Sequence, residues 1–260
     1  MDLHLAGKTA VVTGASRGIG LATVRRLRAE GATVIGAART AAPELSESGA
    51  EVVTVDLATP DGPAELVRRV LAAHDGIDVL VNNVGGGDAG DLRSFFDYDD
   101  DVWQRTFELN LFSAVRACRA AMPALLARQG LVVNVSSNGA RMPHTGPVPY
   151  NTAKAALTAY SKALAEEVAD QGVRVATVSP GTTRTSIWTD PEGFGAAVAR
   201  ARGVTHAELL DGLASASGIP SGRLVEPEHV AGLIAFLTSP EAASMTGQDY
   251  LVDGGSVKAV

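Results

Sequence analysis

The residues with the clearest chemistry are a tyrosine and a lysine, Tyr150 and Lys154, which lie four positions apart. In the helix that the local pattern predicts over Tyr150–Gln171, this spacing places both side chains on one face. A free tyrosine has a pKa of about 10, and a neighbouring ammonium lowers that pKa by favouring the phenolate. The pair therefore predicts a general acid and base that exchanges a proton with a carbonyl or alcohol oxygen close to neutral pH.

Ser137 is the second candidate, because it follows a buried strand predicted over Leu131–Ser136 and precedes Tyr150 by thirteen residues. Its hydroxyl is placed to hydrogen-bond a substrate oxygen and to stabilise the charge that develops there. A tyrosine–lysine pair alone is common on helix surfaces. The catalytic prediction therefore depends on Ser137 and on Asn110, which lies in a helix predicted over Asp99–Arg128.

A glycine-rich turn follows the first predicted strand, Thr9–Thr13, and leads into a predicted helix, Ile19–Glu30. Glycine allows a sharp turn and a close backbone approach to a pyrophosphate, and the free N–H groups at the helix N-terminus attract the phosphates. This strand–turn–helix context predicts a dinucleotide site rather than a purely structural turn. The residues predicted to bind there are Gly14, Ser16, Arg17, Gly18, Ile19 and Gly20.

Short β-rich runs alternate with longer helical patterns along the whole chain. The other predicted strands are Thr33–Ala37, Glu51–Val55, Val79–Asn82, Val173–Ser179 and Tyr250–Val252, and the other helices are Asp61–His74 and Pro227–Thr238. Several strands are apolar almost throughout, as expected when helices cover both faces of a sheet. The alternation predicts one Rossmann-type domain over residues 1–260, an α/β fold with a doubly wound parallel sheet of about seven strands.

The stretch from about residue 182 to residue 220 breaks this rhythm with five glycines and two prolines around weak helical patterns. In an open α/β sheet, ligands bind at the carboxyl ends of the strands. An irregular insertion after the sixth strand is therefore predicted to be a lid over the substrate. The alternative is a surface excursion that contacts no ligand.

Further motifs accompany the glycine turn, whose spacing G-x-x-x-G-x-G differs from the common G-x-G-x-x-G fingerprint. They are Asn82-Asn83-Val84-Gly85, Ser137 with Tyr150 and Lys154, Pro180-Gly181 with Thr185, Thr246-Gly247, and Val252-Asp253-Gly254-Gly255. Together they resemble the short-chain dehydrogenase/reductase family over nearly the whole chain, and in a general way its 3-oxoacyl-carrier-protein-reductase-like branch. Val84 departs from the family pattern, which has alanine at that place.

The resemblance implies roles for individual residues. Asn110 would kink its helix and orient a water that leads to Lys154, and Lys154 would also hold the nicotinamide ribose. Asp56 would hold the adenine amino group beside the Leu57 backbone, although capping of the next helix is an alternative role for Asp56. The remaining implied cofactor contacts are Asn83, Val84, Gly85, Tyr150, Pro180, Gly181, Thr183 and Thr185. Family members commonly form homotetramers, so a homotetramer is expected, with a homodimer as the alternative.

The choice of dinucleotide depends on the end of the second strand, where NAD-binding folds place an acid that grips the ribose hydroxyls. Here that place falls on Ala38, and Arg39 follows it. Arg17 offers a second guanidinium from the glycine turn, and two arginines around one phosphate form strong charge-assisted hydrogen bonds. These residues favour NADP(H). NAD(H) stays open as the alternative, in which Arg39 and Arg17 simply face water.

Charge and composition exclude several partners. The formal net charge of −7 argues against nucleic acid and against an anionic membrane. The one cysteine, Cys118, is predicted to be a packed thiol, and the scattered histidines show no metal-ligand spacing. The acidic run Asp97–Asp101 is expected to cap a helix rather than bind a metal. The N-terminus does not resemble a signal peptide, so a cytoplasmic location is expected by elimination.

These observations predict an NADP(H)-dependent oxidoreductase that interconverts a small-molecule ketone and a secondary alcohol. The alternative is a regulator that binds the dinucleotide without turnover. The residues predicted to contact substrate are Ser137, Met142, His144, Tyr150 and Trp188, with Gly86, Gly87, Ile187 and Phe194 as further pocket candidates. The apolar members favour an aliphatic or cyclic ketone over a polyanionic substrate.

Overall fold

The computed structural model describes residues 2–86 and 94–258, in which seven strands form one parallel sheet. The strands are β1 (Thr9–Thr13), β2 (Thr33–Ala38), β3 (Glu51–Thr54), β4 (Val79–Asn82), β5 (Leu131–Val135), β6 (Arg174–Pro180) and β7 (Asp249–Val252). Their order is β3-β2-β1-β4-β5-β6-β7, and every neighbouring pair is parallel. The predicted doubly wound α/β fold is therefore confirmed. The order reverses between β1 and β4, which is where such sheets open a ligand crevice.

Helices cover both faces of the sheet. They are α1 (Gly18–Ala29), α2 (Pro43–Ser46), α3 (Gly62–Ala73), α4 (Asp100–Phe107), α5 (Ser113–Arg128), α6 (Val148–Val168), α7 (Ser186–Thr189), α8 (Phe194–Arg202), α9 (His206–Ala216) and α10 (Pro227–Thr238). Successive strand residues point to opposite faces. Val12 thus joins the core beneath α1 and α10, while Val11 joins the core beneath α3 and α5. All five residues of β5 are buried, which explains its continuous apolar run.

The helix predicted over Asp99–Arg128 is interrupted in the middle, around Asn110, where the family resemblance implied a kink. A π-helical turn, Glu108–Phe112, separates α4 from α5. The side-chain amide of Asn110 donates to Thr106 O at 2.9 Å, so it enters the backbone hydrogen-bond ladder where the turn widens. Such π-turns are frequent at functional sites. The acidic run does cap the helix, as expected, because the Asp99 carboxylate accepts from Val102 N at 2.8 Å.

The segment after β6 contains α7, α8 and α9, where only weak helical patterns were expected. It has small apolar clusters of its own, separate from the two cores of the sheet. They are Leu213, Ala214, Ile219 and Leu224 with Trp188, and Val198, Ala199 and Leu209 with Phe194. The segment returns to the sheet through a parallel bridge between Thr183 and Val225.

Among the helices within residues 2–86 and 94–258, none is long and apolar enough to cross a membrane.

Candidate active site

The glycine turn joins β1 to α1 and is built so that the backbone stays exposed to a ligand. Gly14 and Gly18 have φ values of 65° and 55°, in the left-handed region that glycine adopts without strain. A Cβ on Gly20 would lie 2.2 Å from Gly14 O, so no larger residue fits. The first turn of α1 carries no acid that would neutralise the positive end of the helix. This cradle fits the pyrophosphate of a dinucleotide.

Thr13 ties the glycine turn to the loop after β4. Its hydroxyl accepts hydrogen bonds from Asn83 N at 2.9 Å and Val84 N at 3.0 Å. The Asn83 side chain in turn donates to Thr13 O at 3.0 Å and Gly14 O at 3.1 Å. Sequence reasoning missed Thr13. The position of Thr13 in the sequence could have indicated this role, because the last residue of β1 places its hydroxyl beside the ends of the neighbouring strands.

The loop after β4 also contacts the helix that carries Asn110. The Asn110 side chain accepts from Gly86 N at 3.0 Å and donates to Gly86 O. A Cβ on Gly85 would lie 3.0 Å from both Asn110 Oδ1 and Lys154 Nζ. Gly85 therefore lets the predicted helix asparagine and the predicted lysine approach the same point. Gly87, the other glycine suggested for the pocket, lies outside the described residues.

Lys154 is buried, with 3% of its surface exposed, and its ammonium donates to Val135 O at 2.9 Å. Nζ lies 5.8 Å from the centroid of the Tyr150 ring. Burial disfavours the charged form and lowers the pKa of Lys154 to about 8. The predicted pairing of Tyr150 and Lys154 on one helix face is thus present in the structure.

The Ser137 hydroxyl lies close enough to the Tyr150 hydroxyl to lower the pKa of that phenol. Burial raises the pKa of Tyr150, and the Ser137 hydroxyl lowers it by less. The raised pKa describes the protein groups by themselves, whereas the lower pKa predicted from the sequence counts on the charge of an oxidised nicotinamide as well as on Lys154. The pKa is raised because the protein removes water from the hydroxyl, and the same burial weakens the cationic form of Lys154. These protein groups alone therefore keep Tyr150 protonated at neutral pH, as a general acid requires.

The loop between β5 and α6 carries the remaining polar candidates. Ser137 Oγ accepts from Gly139 N at 3.1 Å, which shapes a short 3-10 turn at its start. Met142 lies further along this loop and is partly buried, whereas His144 is exposed. Both therefore lie on the segment that leads from Ser137 to Tyr150.

The end of β6 approaches the glycine turn from the other side. Thr183 Oγ1 donates to Gly181 O at 2.8 Å and is itself buried. A Cβ on Gly18 would lie 3.2 Å from the Thr185 methyl group. Thr185 therefore lies against the glycine turn, and Pro180 is the last residue of the strand that precedes both threonines.

Arg17 and Arg39 are both exposed, and within residues 2–86 and 94–258 neither forms an ion pair. Ala38 is buried at the end of β2, with 6% of its surface exposed. There is thus no carboxylate at this place and two guanidinium groups free for an anion. This is the arrangement of charges from which the sequence favours NADP(H).

Asp56 and Leu57 follow β3. The Asp56 carboxylate accepts from Ala58 N at 3.0 Å, and Leu57 is buried. The next helix, α3, begins at Gly62 and has Asp61 as its N-terminal cap residue. The alternative that Asp56 caps the next helix is therefore wrong, because a turn separates the two.

The side chains of Trp188 and Phe194 pack inside the segment after β6. Their rings are 5.1 Å apart, and Trp188 packs on the Leu213 cluster while its carbonyl oxygen lies 2.6 Å from His206 Nε2. Ile187, in contrast, is 37% exposed. The indole of Trp188 therefore has a structural partner of its own, which the sequence prediction of substrate contact did not include.

Cys118 is fully buried beneath the sheet, where its sulfur accepts from the side chain of Asn82 at 3.2 Å. Burial raises the pKa of the Cys118 thiol to about 11. A thiol that is protonated at neutral pH is a poor nucleophile. The interpretation of Cys118 as a packed thiol is confirmed.

Comparison with known proteins gives a consistent set of relatives. The family model described as enoyl-(acyl carrier protein) reductase matches residues 14–257. The chain is 34% identical over 265 residues to a 3-oxoacyl-(acyl-carrier-protein) reductase of Vibrio cholerae, covering 97% of this chain and 98% of that one. It is 33% identical over 270 residues to a 2,3-dihydroxy-2,3-dihydro-p-cumate dehydrogenase of Pseudomonas putida, covering 98% and 96%.

Solved structures agree with these relatives. An L-sorbose reductase from Gluconobacter frateurii, determined in complex with NADPH and L-sorbose, is 35% identical to this chain and superposes with a TM-score of 0.91. The likeness covers 100% of both chains. An aldohexose dehydrogenase from Thermoplasma acidophilum is 28% identical with a TM-score of 0.88. Reductases and dehydrogenases of alcohols and carbonyls thus share the complete fold.

Proposed function

The chain belongs to the short-chain dehydrogenase/reductase family and is an oxidoreductase of that family, and from this premise we propose that it interconverts a ketone and a secondary alcohol with NADP(H). Tyr150 is the general acid and base of this reaction. The observation that carries the proposal is that Ser137 and Lys154 converge on Tyr150. The serine hydroxyl acts on the pKa of the phenol, and Lys154 Nζ lies 5.8 Å from the centroid of its ring.

A dinucleotide held in the crevice would supply the hydride for the carbonyl carbon during reduction. Ser137 donates a hydrogen bond to the carbonyl oxygen and stabilises its growing negative charge. Tyr150, which burial keeps protonated, passes its proton to the same oxygen. In the opposite direction Tyr150 accepts the alcohol proton, so the two residues form one acid–base unit.

Lys154 stabilises the phenolate that Tyr150 becomes when it gives up its proton. With a pKa of about 8, Lys154 is still mainly charged at neutral pH, although it is buried. Val135 O holds the ammonium in place, and Asn110 keeps the Gly85–Gly86 backbone beside it. Asn110 therefore acts on the loop that borders the ammonium, and we assign it the role of ordering the proton path behind Tyr150.

The preference for NADP(H) is proposed from the charges at the end of β2. Ala38 offers no carboxylate to repel a 2′-phosphate, while the exposed guanidinium groups of Arg17 and Arg39 suit that anion. The reductase from Gluconobacter frateurii, which binds NADPH, supports this assignment. Asp56 with the Leu57 backbone would hold the adenine, and the glycine turn with Asn83, Val84, Pro180, Gly181, Thr183 and Thr185 would line the rest of the crevice.

The substrate class is a small carbonyl compound or its alcohol. Met142 and His144, on the loop between Ser137 and Tyr150, are proposed to face it, and the segment over about 182–220 is proposed as the lid of a single domain. The named relatives act on an acyl chain, a cyclic diol or a sugar, all of which have an alcohol or carbonyl carbon as reacting centre. We also propose a homotetramer, or a homodimer, which sedimentation analysis tests directly.

A binding titration and a turnover assay test this function. Binding of NADPH and of NADH is measured by fluorescence, and NADPH consumption is then followed over a panel of aliphatic, cyclic, β-keto and sugar carbonyls. Tighter binding of NADPH with turnover of one carbonyl class is the expected result. Tight binding without turnover of any carbonyl would contradict the proposed reaction and favour a dinucleotide-binding regulator.

A further inference from the structure

The C-terminal tail, Asp253–Lys258, runs from the end of β7 into the space between the lid and the Ser137 loop. Asp253 and Ser256 are buried, with 7% and 5% of their surfaces exposed. Polar and charged side chains are mostly exposed unless they are hydrogen-bonded. The burial of Asp253 and Ser256 therefore indicates that the tail has specific partners.

The tail is organised around the Asp253 carboxylate. It accepts hydrogen bonds from Gly255 N at 2.9 Å, Ser256 Oγ at 2.9 Å and Val257 N at 2.8 Å. Burial raises the pKa of Asp253, but these hydrogen bonds outweigh it and hold the pKa below its usual value. The carboxylate is therefore charged and keeps the Ser256 hydroxyl in a fixed orientation.

The Ser256 hydroxyl is in turn the acceptor for Asn138, the residue that follows Ser137. Asn138 Nδ2 donates to Ser256 Oγ at 2.9 Å. The carbonyl of Asn138 accepts from Arg141 N at 3.0 Å and Met142 N at 3.1 Å, so Asn138 also closes the turn behind Ser137. A linear chain of hydrogen bonds thus runs from Asp253 through Ser256 to the residue beside Ser137.

The same tail contacts the lid. Lys258 Nζ donates to Gly218 O at 3.2 Å. A Cβ on Gly254 would lie 2.6 Å from Ile219 Cγ2, and one on Gly255 would lie 3.6 Å from the Pro220 ring. The turn that follows α9 therefore rests on the tail, while the opposite side of the tail holds Asn138.

We propose that Asn138 and Ser256 are positioning residues, which fix Ser137 toward the Tyr150 hydroxyl and link its orientation to the lid. The inference deepens the proposed function, because it assigns control of the Ser137–Tyr150 pair to the C-terminal tail. Neither residue contacts the reacting atoms in this account. They act because a hydroxyl displaced by even 1 Å loses much of its catalytic effect.

Replacement of Ser256 by alanine removes only the middle hydroxyl of the chain. We expect Ser256→Ala to lower kcat for carbonyl reduction about ten-fold, with NADPH affinity unchanged. The Ser137 hydroxyl lowers the pKa of Tyr150, so displacing it should raise that pKa. In alcohol oxidation, which needs the phenolate, the rising limb of the pH profile should move upward by about half a unit.

Three comparisons separate positioning from general loss of stability. Ser239→Ala is the matched control, since Ser239 is also buried and its hydroxyl donates to Phe236 O at the end of α10, outside the chain of hydrogen bonds from Asp253 to Asn138. It should leave kcat and the pH profile as in the wild type. Ser256→Thr, which keeps the hydroxyl, should restore the profile. Asn138→Ala and Ser256→Ala should lower kcat together no more than either does alone.

The proposal would be overturned if Ser256→Ala had the same kcat as the wild type and the same pH profile of alcohol oxidation. Additive losses in the double variant would also overturn it, because two independent effects would then be at work.

A measurement without turnover keeps the inference separate from the proposed function. Hydrogen exchange of the amides of Gly139, Arg141 and Met142 reports the order of the Ser137 loop even if no carbonyl is turned over. We expect exchange about ten-fold faster in Ser256→Ala and unchanged in Ser239→Ala. Unchanged exchange in both variants would contradict the coupling, whereas failure of the carbonyl panel alone would contradict only the reaction.

Discussion

The two sides of the site are built in different ways. The dinucleotide side consists of strand ends and backbone, where Thr13, Asn83 and the glycine turn hold one another through hydrogen bonds of 2.9–3.1 Å. The proposed substrate side consists of loops, in which Asn138, next to Ser137, is hydrogen-bonded to Ser256, more than a hundred residues away in sequence. The proposed dinucleotide side is thus held by hydrogen bonds between adjoining strand ends, whereas the proposed substrate side is held by loops that meet through the C-terminal tail.

Gly20→Ala should have the largest effect on the proposed dinucleotide side. In Gly20→Ala the new methyl group would meet Gly14 O at 2.2 Å, so the turn must open. We expect the dissociation constant for NADPH to rise at least about 100-fold, since the backbone donors lose their alignment. Calorimetric titration measures it.

The matched control is Gly212→Ala in α9, where a Cβ meets no atom within 4 Å. It should leave NADPH affinity unchanged and stabilise the protein by up to about 1 kcal/mol, because alanine favours a helix over glycine. Equal affinity in both glycine variants would contradict the description of the turn as a tightly closed cradle.

Arg39 tests whether charge at the end of β2 selects the cofactor. Arg39→Ala should weaken NADPH binding about 10- to 30-fold and leave NADH binding within about two-fold, because only the former carries the extra phosphate. Steady-state KM values for both dinucleotides measure this. An equal loss for both would show that Arg39 supports the loop rather than a 2′-phosphate.

Lys154 lies between the two sides of the site, and burial of its ammonium lowers the free energy of unfolding. Its pKa is lowered to about 8 in the folded chain, against about 10.4 when unfolded. The unfolded chain therefore binds more protons between these values, so stability contributed at this site rises as pH increases from about 8 to about 10. Lys154→Met should be inactive yet more stable at pH 7 by about 2 kcal/mol, with the difference shrinking at pH 9.5.

Thermal unfolding of Lys154→Met and wild type at the two pH values measures this difference. A gap that is the same at both pH values would mean that burial of the ammonium is not its cause.

Much of this arrangement could be predicted from the sequence, because the signals are local. The strand and helix periodicities predicted the sheet, and the glycine turn predicted the cradle. The apolar pattern hid the break at Asn110, because a π-turn leaves that pattern nearly continuous through α4 and α5, and only the family resemblance implied a kink there. The upward shift in the pKa of Tyr150 was also hidden, because it depends on burial, which spacing along a helix does not show.

The features that the sequence did not predict depend on contacts between residues far apart in the chain. Nothing near Ser137 in sequence indicates Ser256, and nothing near Trp188 indicates the cluster formed with Leu213. Such contacts are decided by how the loops after β5, β6 and β7 meet at one edge of the sheet. They are therefore visible only in three dimensions.

The most direct test of the central claim is a single-turnover measurement of Tyr150→Phe with NADPH and the carbonyl found in the panel. The phenyl ring keeps the packing but removes the proton that the account gives to the substrate oxygen. We predict NADPH affinity within about two-fold of the wild type and a rate of hydride transfer lower by at least about 1,000-fold. A variant that binds NADPH normally and reduces the carbonyl at a rate near that of the wild type would contradict the account.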